Sequence, residues 1–319
     1  NHANSNPYAL LCPEIELTDA SVLFYIVVPS GEWAQGFTIT VYDASGKPIK
    51  DFTKKSSSTF AAGKAIVMPV QPVYQKISAF SVSATQKVTF SPGNLQYHPK
   101  NDKWRFALNQ LNVVGKDNEN ISAEYDGWID LFGWSGSTGS AKFGVSSSTT
   151  ESDYSGNFVD WGTNRIGEHA PNTWRTLTND EWLYLARRRT NADKLNGFAN
   201  INGINGMILL PDEWECPAGI TFKSGFTNLT YSSEMDYGEH QSISANQWAM
   251  MEQAGALFLP AYGYRNGTEV VEEVGDGYYS SATIGAYNQP RFFHFNSIKA
   301  VTQRDSRIYG LFVRLVKDL

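Results

Sequence analysis

The side chains able to do chemistry are few, and their spacing excludes most reactions. Five histidines, His2, His98, His169, His240 and His294, are scattered along 319 residues. None sits in the HExxH pattern that places two imidazoles on one helix face to hold zinc. The two cysteines, Cys12 and Cys216, have no CxxC or other metal-ligand neighbourhood. They form either one long-range disulfide or two buried free thiols. No GxSxG turn presents a serine nucleophile, and no GxxxxGK[ST] loop cradles a phosphate. Asp212 and Glu213 are adjacent carboxylates, but Pro211-Asp212-Glu213-Trp214 reads as a strand-ending turn. A glycosidase needs two carboxylates facing each other across a cleft. The acidic stretches Asp117-Asn118-Glu119-Asn120 and Glu151 to Asp160 read as solvated loops, the alternative being a structural Ca²⁺ held by their oxygens. No other cofactor is indicated.

What remains is equipment for binding. In Arg291-Phe292-Phe293-His294-Phe295 the strand period of two sets Phe293 and Phe295 on one face, and Phe292 and His294 on the other. Nearby in sequence are Ile284, Tyr287, Arg291, Ile298, Lys299, Arg304, Arg307, Tyr309 and Phe312. Tyr, Arg and Phe anchor interfaces because they bury large, rigid area or make forked hydrogen bonds.

The elements that must position these residues are mostly strands. In residues 1–75 the apolar run Val22–Val28, the alternating Phe37-Thr38-Ile39-Thr40-Val41-Tyr42 and the stretch Ala65–Val70 read as strands, with a turn at Ala44-Ser45-Gly46-Lys47. Residues 76–86 read as a linker. Val88-Thr89-Phe90 and Trp104-Arg105-Phe106-Ala107 read as a hairpin around Pro92-Gly93-Asn94. From Asp117 to Glu168 the chain is rich in Gly, Ser, Asn and Asp, yet it carries Trp128, Phe132, Trp134, Phe158 and Trp161. Long loops pinned by aromatics are ordered. Two capping boxes, Thr178 to Glu181 and Ser244 to Gln247, start helices, the second ending at Gly255. Met207–Leu210 and Leu257–Pro260 read as short core strands, and Tyr278-Tyr279, Arg291–Phe295 and Leu311–Val316 as the final ones. Two helices on antiparallel sheets make an α+β domain.

Composition bounds the partners. With 41% hydrophobic and 18% charged residues the chain can build a core and is not disordered, and 13% aromatics suit β-rich cores and binding surfaces. The net charge is −6 and basic residues are dispersed apart from Lys54-Lys55 and Arg187–Arg189, so nucleic acid is not expected as a partner. The arginine run is expected to end a helix, where cations meet the negative end of the dipole. No apolar run approaches the roughly 20 residues of a membrane helix. A start at Asn1 in place of Met leads us to expect a mature or truncated form whose targeting segment has been removed.

A set of motifs carries a resemblance over roughly residues 87–319: Phe90-Ser91-Pro92-Gly93-Asn94-Leu95-Gln96-Tyr97, Trp104-Arg105-Phe106, Trp128-Ile129-Asp130-Leu131-Phe132-Gly133-Trp134, Trp174-Arg175-Thr176-Leu177-Thr178, Glu181-Trp182, Leu210-Pro211-Asp212, Phe258-Leu259-Pro260, Gly277-Tyr278-Tyr279-Ser280-Ser281 and Val313-Arg314-Leu315-Val316. In this order they resemble Bacteroidetes surface proteins of the Fibrobacter succinogenes major paralogous domain type, which are related to C-type-lectin-like and formylglycine-generating-enzyme folds. Phe24-Tyr25-Ile26-Val27-Val28-Pro29 and Ala62-Gly63-Lys64 more loosely resemble the end of a fimbrillin-type β-domain. The resemblance implies a small all-β, sandwich-like N-terminal domain followed by a C-type-lectin-like domain. It also implies an exported protein of the cell surface or fimbrium of a Gram-negative bacterium.

Departures from the relatives narrow the function. The sulfatase-activating enzymes use a cysteine pair near the C-terminal core, whereas this chain has no cysteine after Cys216; without thiolates that oxidation has no nucleophile. Calcium-dependent lectins carry Glu-Pro-Asn or Gln-Pro-Asp, whereas Asn288-Gln289-Pro290-Arg291 places a cation where a calcium ligand belongs. The family framework implies that Phe293 and Phe295 point inward and that Trp104, Trp128, Trp134, Trp174, Trp182 and Trp248 are core. Phe292 and His294 are then expected to be exposed. By resemblance the ligand site comprises Tyr287, Phe292, His294, Lys299, Arg304, Arg307, Tyr309 and Phe312. The expected function is non-enzymatic: a fimbrial tip or surface adhesin binding a host or bacterial protein or glycan. The rivals are a structural pilus subunit that exchanges strands with other subunits, and a glycan-acting enzyme on the same fold.

Overall fold

A computed structural model describes residues 30–34, 36–42, 48–54, 56–62, 78–225, 241–297 and 299–319. The chain divides into two compact units, Asn1–Gln75 and Lys76–Leu319. In the first, Gly31–Trp33 pairs antiparallel with Ser58–Phe60, and Phe37–Tyr42 pairs antiparallel with Pro48–Lys54. Trp33, Phe37 and Phe60 gather with ring centroids 5.3–6.5 Å apart. Gly36 adopts φ 76°, and a Cβ there would stand 1.8 Å from the Lys54 carbonyl oxygen, so this turn admits only glycine. The expected strands at Val22–Val28 and Ala65–Val70, the turn at 44–47, and Cys12 lie outside the described residues.

The second unit is α+β: mostly strands, in largely antiparallel sheets, with two α-helices among the described residues. Its first four-stranded sheet runs in the order Arg175–Thr176, Leu315–Asp318, Lys87–Phe90, Phe80–Ser81. This corrects two expectations. Residues 76–86 are not only linker, since Phe80–Ser81 is a strand of this sheet. Lys87–Phe90 does not pair with Lys103–Phe106; its partners are Phe80–Ser81 and Leu315–Asp318. Lys103–Phe106 pairs with Leu95–His98 across a turn in which Asp102 takes φ 47°. The turn-rich Pro92-Gly93-Asn94 carries the chain along the C-terminal strand, with Ser91 N donating to Leu315 O and Leu95 N to Val313 O, both at 2.9 Å. Local turn chemistry marks where a chain bends, not which distant strand receives it.

A second four-stranded sheet has the order Gln241–Ile243, Asn196–Ile201, Ile204–Leu209, Leu257–Pro260. Its central hairpin turns on Asn202-Gly203, both at positive φ (50° and 89°), as a two-residue hairpin loop requires. The five-stranded sheet that carries the C-terminal residues runs Ala300–Arg304, Pro290–Phe295, Gly277–Ile284, Leu311–Phe312, Leu131–Phe132.

Both capping boxes form. Thr178 opens α1 (Asn179–Leu183), which continues as one π turn, Tyr184–Arg188, with Arg187 and Arg188 in its last turn. Ser244 opens α2 (Ala245–Gln253). Trp182 of α1 stacks on Phe293 at 4.9 Å with the planes 3° apart, and its indole N–H donates to Ser280 O. That contact fixes which face of the Pro290–Phe295 strand looks inward.

The loops between residues 107 and 174 are held by side chains bonded to backbone. Trp161 Nε1 donates to Phe143 O at 2.8 Å, and Asn118 Oδ1 accepts from the amides of Asp130 and Leu131. Asp160 accepts from the amides of Gly162 and Thr176. Such bonds satisfy loop backbone that would otherwise be buried unpaired. No helix among the described residues is long and apolar enough to cross a membrane.

Candidate functional site

The structure separates the expected site residues into two groups. Tyr287 is 84% exposed, Arg304 is exposed, and Lys299 and Tyr309 are half-buried. Four expectations of accessibility are corrected. Phe292 retains 6% exposure and His294 4%, while Arg307 and Phe312 are also buried. Ile298 lies outside the described residues.

The alternation itself is as expected: Phe293 and Phe295 are fully buried, and Phe292 and His294 sit on the opposite face. What covers that opposite face is the neighbouring strand. Tyr278, directly across from His294, stacks on the imidazole at 4.5 Å with the rings 2° apart and lies 6.0 Å from Phe292. Tyr264 packs on Tyr278, and Tyr309 on Tyr264. The Tyr278 hydroxyl donates to Glu273, and burial together with this bond pushes its pKa well up. His294 Nε2 lies 2.7 Å from Asp276 Oδ1, which also accepts from Asn296 Nδ2. Burial lowers the His294 pKa, with Asp276 opposing. A tyrosine and carboxylate layer therefore takes the place of solvent over Phe292 and His294. Phe312 packs on Tyr279 in the interior.

Other sequence-singled residues fall into structural roles. Asp212 accepts from the amide and hydroxyl of Ser81 and from Arg189, a brace within the unit. Cys216 is an exposed free thiol with Sγ 3.3 Å from Ile220 O, which corrects the expectation of burial. Trp104, Trp134, Trp182 and Trp248 are buried, while Trp128 and Trp174 are only half-buried, with the Arg105 guanidinium 3.7 Å over Trp128. In the acidic loops, Asp153 accepts from Ser148, and Glu151 accepts from Ser306 and from the Arg307 amide. Among the described residues no three His, Cys, Asp or Glu side chains gather as a metal ion would require. Asp130 is a fully buried carboxyl whose pKa burial raises to about 6, against bonds from the Val114 amide and the Asn118 side chain.

The geometry best suited to binding lies at the turn between Gly277–Ile284 and Pro290–Phe295. Tyr287 and Asn288 both adopt left-handed backbone, φ 59° and 61°. Asparagine tolerates this region; a tyrosine there costs about 1–2 kcal/mol. Arg307 holds the turn in place. Its Nε donates to Asn288 O at 3.0 Å and its Nη2 to Asn288 Oδ1 at 2.6 Å, while Nη1 donates to Tyr154 O and Gly156 O. The Arg304 guanidinium lies 4.7 Å over the Tyr287 ring, a cation–π contact.

Beside this turn is a shallow cavity of about 110 Å³. Trp134, Phe158, Ala282 and Ile284 supply its apolar lining. Asn157, Asn288 and Arg307 are its polar lining residues, and the Arg307 guanidinium lies 5.7 Å over the ring of Trp134, another lining residue. The sequence reading placed Tyr287, Arg304 and Arg307 in this region and missed Asn157, Phe158 and Asn288, while Trp134 was assigned to the core. Trp134 and Phe158, 5.0 Å apart, arrive from the long loops; no local pattern announces that they line the same hollow as a turn more than 120 residues later.

In class, the unit is a strand-rich α+β domain with an aromatic-and-arginine turn beside a small mixed cavity. Set against family models, curated proteins and solved structures, the chain matches none of them.

Proposed function

We propose that this chain is a non-enzymatic adhesin of the cell surface or fimbrial tip, and that its C-terminal unit is a C-type-lectin-like binding domain that grips its ligand at the Tyr287 turn. The carrying observation is that a tyrosine 84% exposed to solvent is held in left-handed backbone by the buried Arg307. Strain of this kind persists where surrounding structure over-determines it, and it clusters at ligand clamps. A backbone already held in place and a ring with few rotatable bonds lose little entropy on contact, so burial of the ring goes into affinity. The cavity contributes amides, a guanidinium and apolar side chains, which is binding equipment. Phe292, His294 and Phe312 act behind the face as support, and the direct contacts are Tyr287, Arg304, the exposed edge of Ile284 and, at the cavity, Arg307.

The test is a glycan and host-protein array probed with the whole chain and with Tyr287→Gly, which removes the ring while suiting the backbone. A ligand captured by the wild type and lost by the variant supports the reading. Equal capture by both removes Tyr287 from the site.

A further inference from the structure

Resting on that reading, we propose that the ligand is an acidic saccharide, its carboxylate received by Arg307 in the cavity and its pyranose ring lying on Tyr287. The first observation is the state of Arg307. It is 5% exposed, and its four side-chain bonds all run to uncharged oxygens: Asn288 O, Asn288 Oδ1, Tyr154 O and Gly156 O. A guanidinium has five N–H donors, so one on Nη2 has no acceptor among the described residues. Glu151 acts on this cation only through space, its oxygens bonding to Ser306 Oγ and to the Arg307 backbone amide. A buried cation with no carboxylate bonded to it and a donor to spare, lining a cavity, is arranged to receive an anion.

The second observation is the charge around the turn. Residues 284–295 include Arg291 and no Asp or Glu. Arg291 packs beside Gly285, and Arg304 caps the Tyr287 ring. Three arginines thus bracket a five-residue turn, against two nearby carboxylates: Asp305, whose amide donates to Pro290 O, and Glu151, which accepts from Ser306 and the Arg307 amide. That leaves a local excess of positive charge in a chain whose net charge is −6, which favours anionic ligands.

The third is size and lining. A hollow of about 110 Å³ is well below the roughly 300–1,000 Å³ that encloses a whole small molecule. It admits one substituent while the remainder lies on the surface. Tyr287 is one Cα step, about 3.8 Å, from the cavity residue Asn288, and its ring, 84% exposed, is available to a remainder that extends past Asn288. A pyranose has an apolar C–H face for an aromatic ring and hydroxyls for the amides of Asn157 and Asn288. The mixed lining matches this pair of surfaces.

The experiment is calorimetric titration of the whole chain with oligosaccharides ending in a uronic or sialic acid, with their carboxylate methyl esters, with neutral counterparts, and with an oligoglutamate peptide. The acidic sugars are expected to bind, esterification to weaken binding about tenfold or more, as loss of a charge-assisted bond does, and added salt to weaken it further. Arg307→Lys is expected to lose the Nη2 contact with the carboxylate. Because that change also loosens the turn, the exposed Arg304→Gln and the backbone-compatible Tyr287→Gly are measured alongside, each with an expected loss of about threefold or more. Equal binding of acid, ester and neutral sugar overturns the acidic preference while leaving the Tyr287 face as a binding site. Tyr287-dependent binding of the peptide alone overturns the saccharide and likewise spares the face. Acidic sugars that bind the Tyr287→Gly variant unchanged overturn both.

Discussion

The strand Pro290–Phe295 is buried on both faces, but by different means. On one face Phe293 lies parallel to Trp182, and Phe295 packs against Tyr279 and Phe198 at 5.9 and 6.5 Å, all within a closed hydrocarbon cluster. On the other, Phe292 and His294 lie under Tyr278, Tyr264 packs on Tyr278, and Tyr309 packs on Tyr264. The first face is dry and closed by bulk. The second is closed by tyrosines whose own edges are wet, one of them tied down through its hydroxyl to Glu273. The difference teaches that accessibility at a strand position is decided by the side chain the neighbouring strand places across it. The period of two assigns residues to faces and says nothing about the cover.

Truncation should expose the contrast most strongly. Phe293→Ala is expected to cost about 3–5 kcal/mol, the range for an aromatic removed from a packed core. Phe292→Ala should cost less, about 1.5–3 kcal/mol, because the tyrosine layer can collapse into the gap or admit water. Urea unfolding of the two variants compares them directly, and equal losses would mean that the tyrosine layer packs as densely as the interior.

The turn adjoining this strand should respond in the opposite direction. Tyr287→Gly relieves left-handed strain and buries nothing less, so stability is expected to rise by up to about 1 kcal/mol even as ligand capture falls. A thermal melt that drops would show that the ring supports the fold and is not simply displayed.

The smallest effect is a pH dependence confined to the tyrosine side. Burial holds the His294 pKa below its ordinary value of 6.5, against the pull of Asp276. The unfolded chain therefore takes up the proton first as pH falls. The stability contributed by the neutral imidazole is present above about pH 6.5 and is lost as pH drops below it toward the folded pKa. In His294→Gln this part of the slope should vanish. Urea midpoints measured through the acid range for both proteins would settle it, and superimposable slopes would show that His294 does not titrate with folding.

Much of the framework was legible because its causes are local. The Thr178 and Ser244 boxes form as their four-residue patterns require, and the arginine run ends the first helix. Trp182 and Trp248, at the apolar starts of those helices, are interior. Tyr287 in its turn is exposed and Phe293 is buried. Several misreadings concern partners remote in sequence. Lys87–Phe90 takes Leu315–Asp318 at its side in place of the near and turn-linked Lys103–Phe106. Arg307, read only as a ligand contact, also clamps the turn.

By itself the sequence determined where helices start, which aromatic residues share a strand face, and that few side chains here are spaced for catalysis. These follow from periods of 2 and 3.6 residues and from bonds that close within a single turn. The tertiary structure decided which strands pair, that Tyr278 covers Phe292 and His294, and that Trp134, Phe158, Asn288 and Arg307 line one cavity. Those outcomes depend on packing between separate segments, some on neighbouring strands, as with Tyr278 and His294, and some more than a hundred residues apart, as with Trp134 and Arg307; hydrophobic burial there is non-directional and geometry chooses the neighbour.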